Sequence, residues 1–475
     1  MKFTSDVVVG LEVHVELDTK SKLFCSCSTK GNEDPNTRTC PICLGHPGTR
    51  PVLNKKVLEY AMKICLAINS QLSKELIFSR KSYFYPDMSK NFQITQFEEP
   101  LGSRGKIPLK SGKNINITRI HIEEDPASLV YLGSMESSPY VFIDYNRAGN
   151  PLIEVVTDPE LTSPAEARDF LNQLITILDY LKIFDINTCI IKADANISLK
   201  ESNYTRVEVK NITGFKELER ALNYEITRQK ALLKRGLKIK RETRGWNDAA
   251  KTTKSLRTKE TEEDYGYIIE PDLSIIEITD KLASSIKKQI PELAYQKTKR
   301  FIEQYKTDPV DAEVMASELE LADLFENISK KVNPSFTARW LRRELLRVLN
   351  YNKKTLRDIK FGQRELIELF ELVHSQKISE TTGQKLMEKL VEDVFSPKEY
   401  VSKHGLHQVT SENEIREVAV KVIKDNMKAV EDYLKGEEKS FHYLLGQVMK
   451  HTKGKAEPKL TNQILKEEIE KLGND

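Results

Sequence analysis

The sequence predicts an α+β fold in three parts. An antiparallel, β-rich domain over residues 1–292 carries a cysteine-held metal loop at 25–43. An all-α domain follows over 293–402, and an α-helical tail domain over 403–475. Three observations lead there. Apolar and polar residues alternate with period two in 7–17, 190–199 and 205–212, as strands with one buried face require. From about Pro291 that alternation gives way to helical patterns such as SFTARWLRRELLRVLNYN. Two cysteine pairs lie in a turn-rich loop that has almost nothing to build a core from.

The totals narrow the function classes. A hydrophobic fraction of 39% beside 31% charged residues describes a globular chain with ample core material. Lys+Arg 74 against Asp+Glu 71 leaves a net charge of +3, too small to argue for a polyanion partner, so any such contact comes from local patches. No apolar run approaches the length of a membrane span, so no membrane contact is expected. The N-terminus runs from MKFTSD into a strand with no leader-like segment, which sets a cytoplasmic location as the expectation.

The first strand, VVVGLEVHVEL, buries Val7, Val9, Leu11, Val13, Val15 and Leu17 and presents Glu12, His14 and Glu16 in a row. Carboxylates flanking an imidazole can seat a cation or relay a proton, and they equally suit a solvated face. Cys25-x-Cys27 and Cys40-x-x-Cys43 then bracket a loop of Gly, Asn, Asp and Pro. Two close pairs in such a loop fit a tetrahedral, four-thiolate zinc site with no open position and hence a structural role. Cys65 and Cys189 sit in apolar company and read as core thiols.

Residues 51–71 read as a helix with Val57, Leu58, Met62, Cys65, Leu66 and Ile68 on one broad face. Residues 80–102 read as a loop with a short strand at Phe92 and Ile94. There Arg80 and Lys81 stand beside Tyr83, Phe84 and Tyr85, either as packed cation–π contacts or as the wall of a polar conduit. Residues 113–124 form a strand ending in Glu123-Glu124-Asp125, and 140–156 form two short strands around NRAGN. SPAE at 163–166 is a capping box with proline in the first helical position. The strands 190–199 and 205–212 form an antiparallel hairpin whose polar face shows Asp194, Asn196, Glu208 and Lys210 together. Asp, Asn and Ala are poor strand formers, so their use argues for a lined site. A helix over 215–234 leads into a basic, turn-rich stretch with Trp246, and EPDLSIIEIT closes the β-rich half. The tail ends in a helical hairpin with a basic turn at 450–459.

Acidic side chains on strand faces plus one histidine suit Mg²⁺ or Mn²⁺, and through the metal a phosphate-bearing substrate. There is no G-x-x-x-x-G-K-[ST] and no G-x-S-x-G. Residue chemistry alone leaves phosphoryl transfer and simple metal binding level.

GLEVHVEL, SYFYPD, HIEEDPASL, NRAGNPLIEV, ADANISL, EVKN, ETRGW and EPDL occur in this order, and the C-terminal LLGQVMK…KGKAEPKLTNQILKEE follows them. The set closely resembles the B subunit of the tRNA-dependent aspartyl/glutamyl amidotransferases along essentially the whole chain. The resemblance implies a kinase-like cradle in which ATP phosphorylates the side-chain carboxylate of Glu or Asp on a mischarged tRNA. It implies partner A (glutaminase) and C subunits, with ammonia released by the glutaminase arriving through a tunnel. It implies a Mg²⁺ site of Glu12, His14, Glu124, Asp194 and Glu208, with Lys210 and Arg147 on phosphate. Arg80, Lys81 and Tyr83 match the tunnel mouth, and Lys450, Lys453, Lys455 and Lys459 would meet tRNA phosphates. The chain reads DYGYIIEPDL where many members have a DYRYFPEPDL-like run, and the cysteine quartet occurs in only some members. Two alternatives stand beside this reading. One is the archaeal E subunit, whose inserted domain the continuous 270–293 stretch leaves no room for; the other is a tRNA-binding scaffold without catalysis.

Overall fold

The computed structural model describes residues 6–31, 33–133, 138–258, 265–408, 412–452 and 456–473. The chain divides into two compact units, residues 1–293 and 294–475.

The strands of the first unit are β1 (Val7–Glu16), β2 (Gln71–Leu72), β3 (Glu75–Leu76), β4 (Ser79–Ser82), β5 (Phe92–Thr95), β6 (Gly102–Pro108), β7 (Asn114–Glu124) and β8 (Ser128–Tyr131). They continue as β9 (Val141–Asp144), β10 (Pro151–Thr157), β11 (Ile191–Leu199), β12 (Val207–Thr213), β13 (Glu242–Asn247), β14 (Thr252–Thr258), β15 (Ile268–Ile269) and β16 (Ile276–Glu277). Nine of them form one sheet in the order β14-β13-β12-β11-β1-β10-β7-β6-β2, which puts the first strand near its centre. Every pairing in this sheet is antiparallel except β12–β13. The wholly antiparallel expectation fails there because the helix over Phe215–Lys234 intervenes, and a crossover of that length returns the chain in the same direction. The basic stretch read as a turn-rich run supplies β13 and β14, which extend the sheet to its edge.

Alternation gives the sheet two different faces. Val9, Val13, Ile120, Ile122, Ile153, Val155, Ala195, Ile197, Val207 and Val209 are 0% exposed and point to one side. Helices α1 (Lys55–Ala67), α2 (Pro164–Tyr180) and α3 (Phe215–Lys234) supply Met62, Phe170, Leu174, Leu218 and Leu222 to this core, each 0% exposed. Each such side chain contributes roughly 1.5–3 kcal/mol on burial. At α2 the Ser163 side chain accepts from the Glu166 amide and Pro164 occupies the first turn, but the expected capping box is not closed, since the Glu166 carboxylate accepts from the Thr162 amide at 2.9 Å and from Lys113. The opposite face is free of these helices and polar. A short helix α4 (Asp280–Lys287) ends the unit.

The second unit is helical. Residues 301–401 enclose one apolar core that includes Phe301, Phe325, Leu341, Leu369, Phe370 and Met387. Residues 415–469 enclose another, built on Ile415, Ala419, Val422, Leu444, Val448 and Leu465. In the first of these, the helix starting at Pro334 passes through a π turn at Leu341–Leu345. Gly383 lets a neighbouring helix approach there, since a Cβ on it would lie 2.6 Å from Val373 and 2.8 Å from the Trp340 ring. No helix among the described residues is long and apolar enough to cross a membrane.

Candidate functional site

The polar face of the central sheet collects its side chains by register. Glu12 pairs across with Asp194 on β11, and His14 with Lys192. On the other flank His14 pairs with Glu154 on β10, which pairs in turn with His121 on β7. Asn196 pairs with Glu208 on β12, and Glu208 with Thr243 on β13. Directly opposed residues project to the same side, so one continuous surface carries acids, two histidines and two lysines.

Two groups stand out on it. In the first, His14 Nε2 lies 3.4 Å from a Glu123 oxygen and 3.4 Å from a Glu154 oxygen. His121 Nε2 lies 3.0 Å from the same Glu154 oxygen, and its Nδ1 is buried with no hydrogen-bond partner among the described residues. One ligand atom each from His14, Glu123 and Glu154 fall within 4.8 Å of one another, a spacing that suits a cation. Burial opposes charge on His14, but Glu154 and then Glu123 overcome it and raise its pKa to about 10. Glu154 is held well below the carboxylate range: burial works against it and the two imidazoles outweigh that.

In the second group, Lys210 Nζ donates to Asp194 at 2.7 Å and lies 3.7 Å from Glu208. Thr243 Oγ1 donates to the other Glu208 oxygen at 2.7 Å. Asn196 Nδ2 donates to Glu12 at 2.8 Å. Glu12 stands between the groups, and burial followed by the Glu154 charge raises its pKa. Lys210 is pushed up: burial disfavours its charge, and Asp194 and Glu208 more than compensate. Glu12, His14, Asp194 and Glu208 thus share one face, as the sequence suggested.

Glu124 does not join them. Strand alternation turns it to the other side of β7, where its carboxylate accepts from Lys90 and, at 2.9 Å, from the Ile94 amide. Glu123, the residue before it, lies on the polar face instead, 3.4 Å from His14 Nε2. Arg147 is also engaged elsewhere: its Nε is 3.2 Å from Asp125, and it donates to the carbonyls of Pro126 at 3.1 Å and Ala127 at 2.8 Å. Glu16 braces the strand end, accepting from Asn150 at 2.6 Å and from the Ile190 amide at 3.1 Å. Glu123, Glu154, His121 and Lys192 were missed. The signal for the first three was present, because HIE places His121 and Glu123 on one face and PLIEV exposes Glu154 on the next strand.

The 80–97 segment builds an aromatic border beside the first group. Arg80 makes a two-pronged ion pair with buried Glu270, at 2.7 and 2.8 Å, and lies over Phe92. Lys81 Nζ sits 4.6 Å above the Tyr265 ring. Tyr83 meets Tyr265 edge-on, Tyr265 meets Tyr267, and Tyr267 stacks on Phe97 at 3.9 Å. Burial raises the Tyr83 and Tyr267 phenols, and the Glu123 charge adds to both shifts.

Cys25, Cys27, Cys40 and Cys43 converge with their sulfurs within 4.8 Å of one another. Beside them Lys22, 0% exposed, directs its Nζ at Cys43 Sγ, 3.7 Å away, and at the Tyr145 carbonyl, 3.2 Å away. A hydrogen bond from Cys25, then the Cys40 amide and the Lys22 charge, hold the Cys43 thiol below its ordinary pKa. A buried ammonium facing sulfur favours thiolate, the metal-binding form. In the tail, Lys450 and Lys459 are exposed on helices Glu438–His451 and Pro458–Gly473, while Lys453 and Lys455 lie outside the described residues.

The fold and this face define a class before any individual protein: residues 7–284 match the GatB/GatE catalytic domain, and residues 323–469 match the GatB domain. Curated relatives agree along nearly the whole chain. It is 42% identical to the B subunit of the aspartyl/glutamyl-tRNA(Asn/Gln) amidotransferase of Carboxydothermus hydrogenoformans, covering 98% of this chain and 99% of that one. With the corresponding protein of Caldanaerobacter subterraneus the identity is 43%, and with that of Saccharolobus solfataricus 44%, each at 98% and 99% coverage. The chain belongs to the family of amidotransferase B subunits.

Proposed function

We propose that this chain is the ligase component of a glutamine-dependent amidotransferase that converts Glu-tRNA(Gln) to Gln-tRNA(Gln), Asp-tRNA(Asn) to Asn-tRNA(Asn), or both. The reaction runs in two steps. A side-chain carboxylate oxygen of the aminoacyl group attacks the γ-phosphorus of ATP, the bond from phosphorus to the β–γ bridging oxygen breaks, and ADP leaves. Ammonia then attacks the acyl phosphate carbon, phosphate leaves with the electron pair of the C–O bond, and the proton lost from nitrogen is taken up by the departing phosphate. The observation that carries this reading is the single polar sheet face, on which His14, Glu123 and Glu154 adjoin Glu12, Asp194, Glu208 and Lys210.

His14, Glu123 and Glu154 would hold a divalent cation, with Glu12, Asp194 and Glu208 available to a second, and their oxygen-rich donor set suits Mg²⁺ or Mn²⁺. Such an ion supplies charge neutralisation at phosphate oxygens. Lys210 fixes Asp194 and Glu208 in place and adds positive charge beside them. The Lys81–Tyr83–Tyr265 border suits a passage for ammonia, with polar tips along an aromatic wall. The four cysteines suit Zn²⁺ in a closed structural site. The tail, with Lys450 and Lys459, would meet tRNA phosphates. Membership of this family implies partner chains, here the A (glutaminase) and C subunits.

The test uses the assembled complex with mischarged tRNA and γ-labelled ATP, glutamine withheld so that the phosphorylated intermediate accumulates. Glu208→Gln should reduce its formation at least ~100-fold, on the scale of removing one electrostatic contact to a reacting group, with tRNA binding retained. Normal phosphorylation by this variant overturns the assignment.

A further inference from the structure

Most cations on and around the polar face are committed. Lys210 is paired with Asp194, Arg147 with Asp125, Lys90 with Glu124 and Arg80 with Glu270, and Arg119 donates to the Gln96 carbonyl at 2.7 Å. Lys192 is different. It lies on β11, the strand beside β1, directly opposite His14 and two residues before Asp194. On its other side it pairs with Thr213 at the end of β12. It is half-buried, and among the described residues no carboxylate oxygen lies within 4.0 Å of its Nζ. Its charge lowers the carboxyls of Asp125 and Asp87 against the effect of burial. Asp125 already holds Arg147.

A lysine on an inner strand, beside an acid cluster yet paired with none of it, is poorly placed for stability. Part of its hydration is lost, and Asp125 and Asp87 act on it only from beyond ion-pair distance. The arrangement becomes favourable when an anion enters between it and the cluster. We propose that Lys192 is the cationic contact for the phosphoryl group in transfer, gripping its peripheral oxygens from the strand next to that of Lys210. This rests on the phosphoryl-transfer reading of the face. The ammonium stays protonated throughout and exchanges no proton. It donates hydrogen bonds to oxygens whose charge is redistributed as the new O–P bond forms and the bond to ADP breaks. A compact, rotatable ammonium suits a group that moves between two bonding partners.

The experiment compares Lys192→Met and Lys192→Arg in the assembled complex, again following formation of labelled acyl phosphate. Lys192→Met should lower kcat/KM for ATP about 100-fold, and Lys192→Arg should recover at least about tenfold of that. Inhibition by ADP, which lacks the transferred group, should be unchanged in both, as should glutamine hydrolysis by the partner and tRNA binding. If Lys192 only steadies Asp125 and Asp87, Lys192→Met lowers the melting temperature and leaves the kinetics intact, which overturns the proposal. A rise in the inhibition constant of ADP that matches the loss with ATP also overturns it, because the contact then belongs to the nucleotide's other phosphates. Glu208→Gln separates the two levels. Phosphorylation lost there but kept in Lys192→Met refutes the lysine's role alone; phosphorylation kept in both refutes the site.

Discussion

Glu154 shares one oxygen between two imidazoles, 3.4 Å from His14 and 3.0 Å from His121, and its charge is the largest influence raising the pKa of both against burial. Glu154→Gln should therefore weaken Mn²⁺ binding at least about tenfold by calorimetry, while Glu124→Gln, on the far side of β7, should leave it unchanged. The metal-free protein also has a pH signature at this point. His14 titrates near 10 in the folded chain against an ordinary 6.5, so its contribution to stability is complete below about pH 6.5 and is lost as pH rises through 10. Thermal melts from pH 6 to 10 should show a decline that His14→Gln flattens. At this scale the sequence was readable wherever strand alternation was followed through. Glu12, His14, Asp194 and Glu208 came from counting every second residue. Glu124 came from motif resemblance, and the same count along HIEED favours Glu123. Lys22 and Lys192 were not readable, because their meaning lies in partners far away in the chain.

Among elements, the cysteine loop does more than close on itself. Asn36 exchanges hydrogen bonds with the 143–145 backbone, donating from its Nδ2 to the Ile143 carbonyl at 3.1 Å and accepting the Tyr145 amide at 2.7 Å. Arg38 and Asp34 bond Asn146 through backbone groups, and Lys22 reaches the Tyr145 carbonyl. The turn so held carries Arg147, bound to Asp125, and Asn150, bound to Glu16 on the first strand. Purified protein should contain about one zinc per chain, lost in Cys40→Ser, by elemental analysis. Asn36 has φ 60°, which glycine adopts freely, so Asn36→Gly should keep the metal and speed amide exchange at Tyr145 and Asn146. The convergence of the four cysteines was legible from spacing alone. Its grip on the 143–150 turn was not, since those bonds use side chains of ordinary turn residues. The strands β13 and β14 were hidden for another reason: an edge hairpin carries charged and polar residues on both flanks, which blurs the period-two pattern.

For the molecule as a whole, the sequence reading sets the change to helical periodicity near Pro291, whereas the last strand ends at Glu277, a helix occupies Asp280–Lys287, and the first compact unit ends at Leu293. What periodicity could not give is strand order, because pairing partners are set by packing across long stretches of chain. The two helical cores, 301–401 and 415–469, share no residue. Leu444→Ala, at a fully buried position, should cost the tail core about 2–5 kcal/mol. Hydrogen exchange should then show lost protection in 415–469 and unchanged protection in 301–401. The central placement of the first strand has a consequence for synthesis. Val7 pairs with Leu199, and neither neighbour of β1 in the sheet begins before Pro151. A ribosome adding roughly 5–20 residues per second needs on the order of 10–40 s to add the 192 residues that follow Val7 up to Leu199. Until Thr157 has been added VVVGLEVHVEL has neither of its sheet partners complete, and until Leu199 it still lacks β11, so the nascent chain presents an apolar strand edge-on to solvent or to a chaperone. The cysteine loop immediately after it needs no distant partner for its four sulfurs, and can close on a metal while the strand still waits.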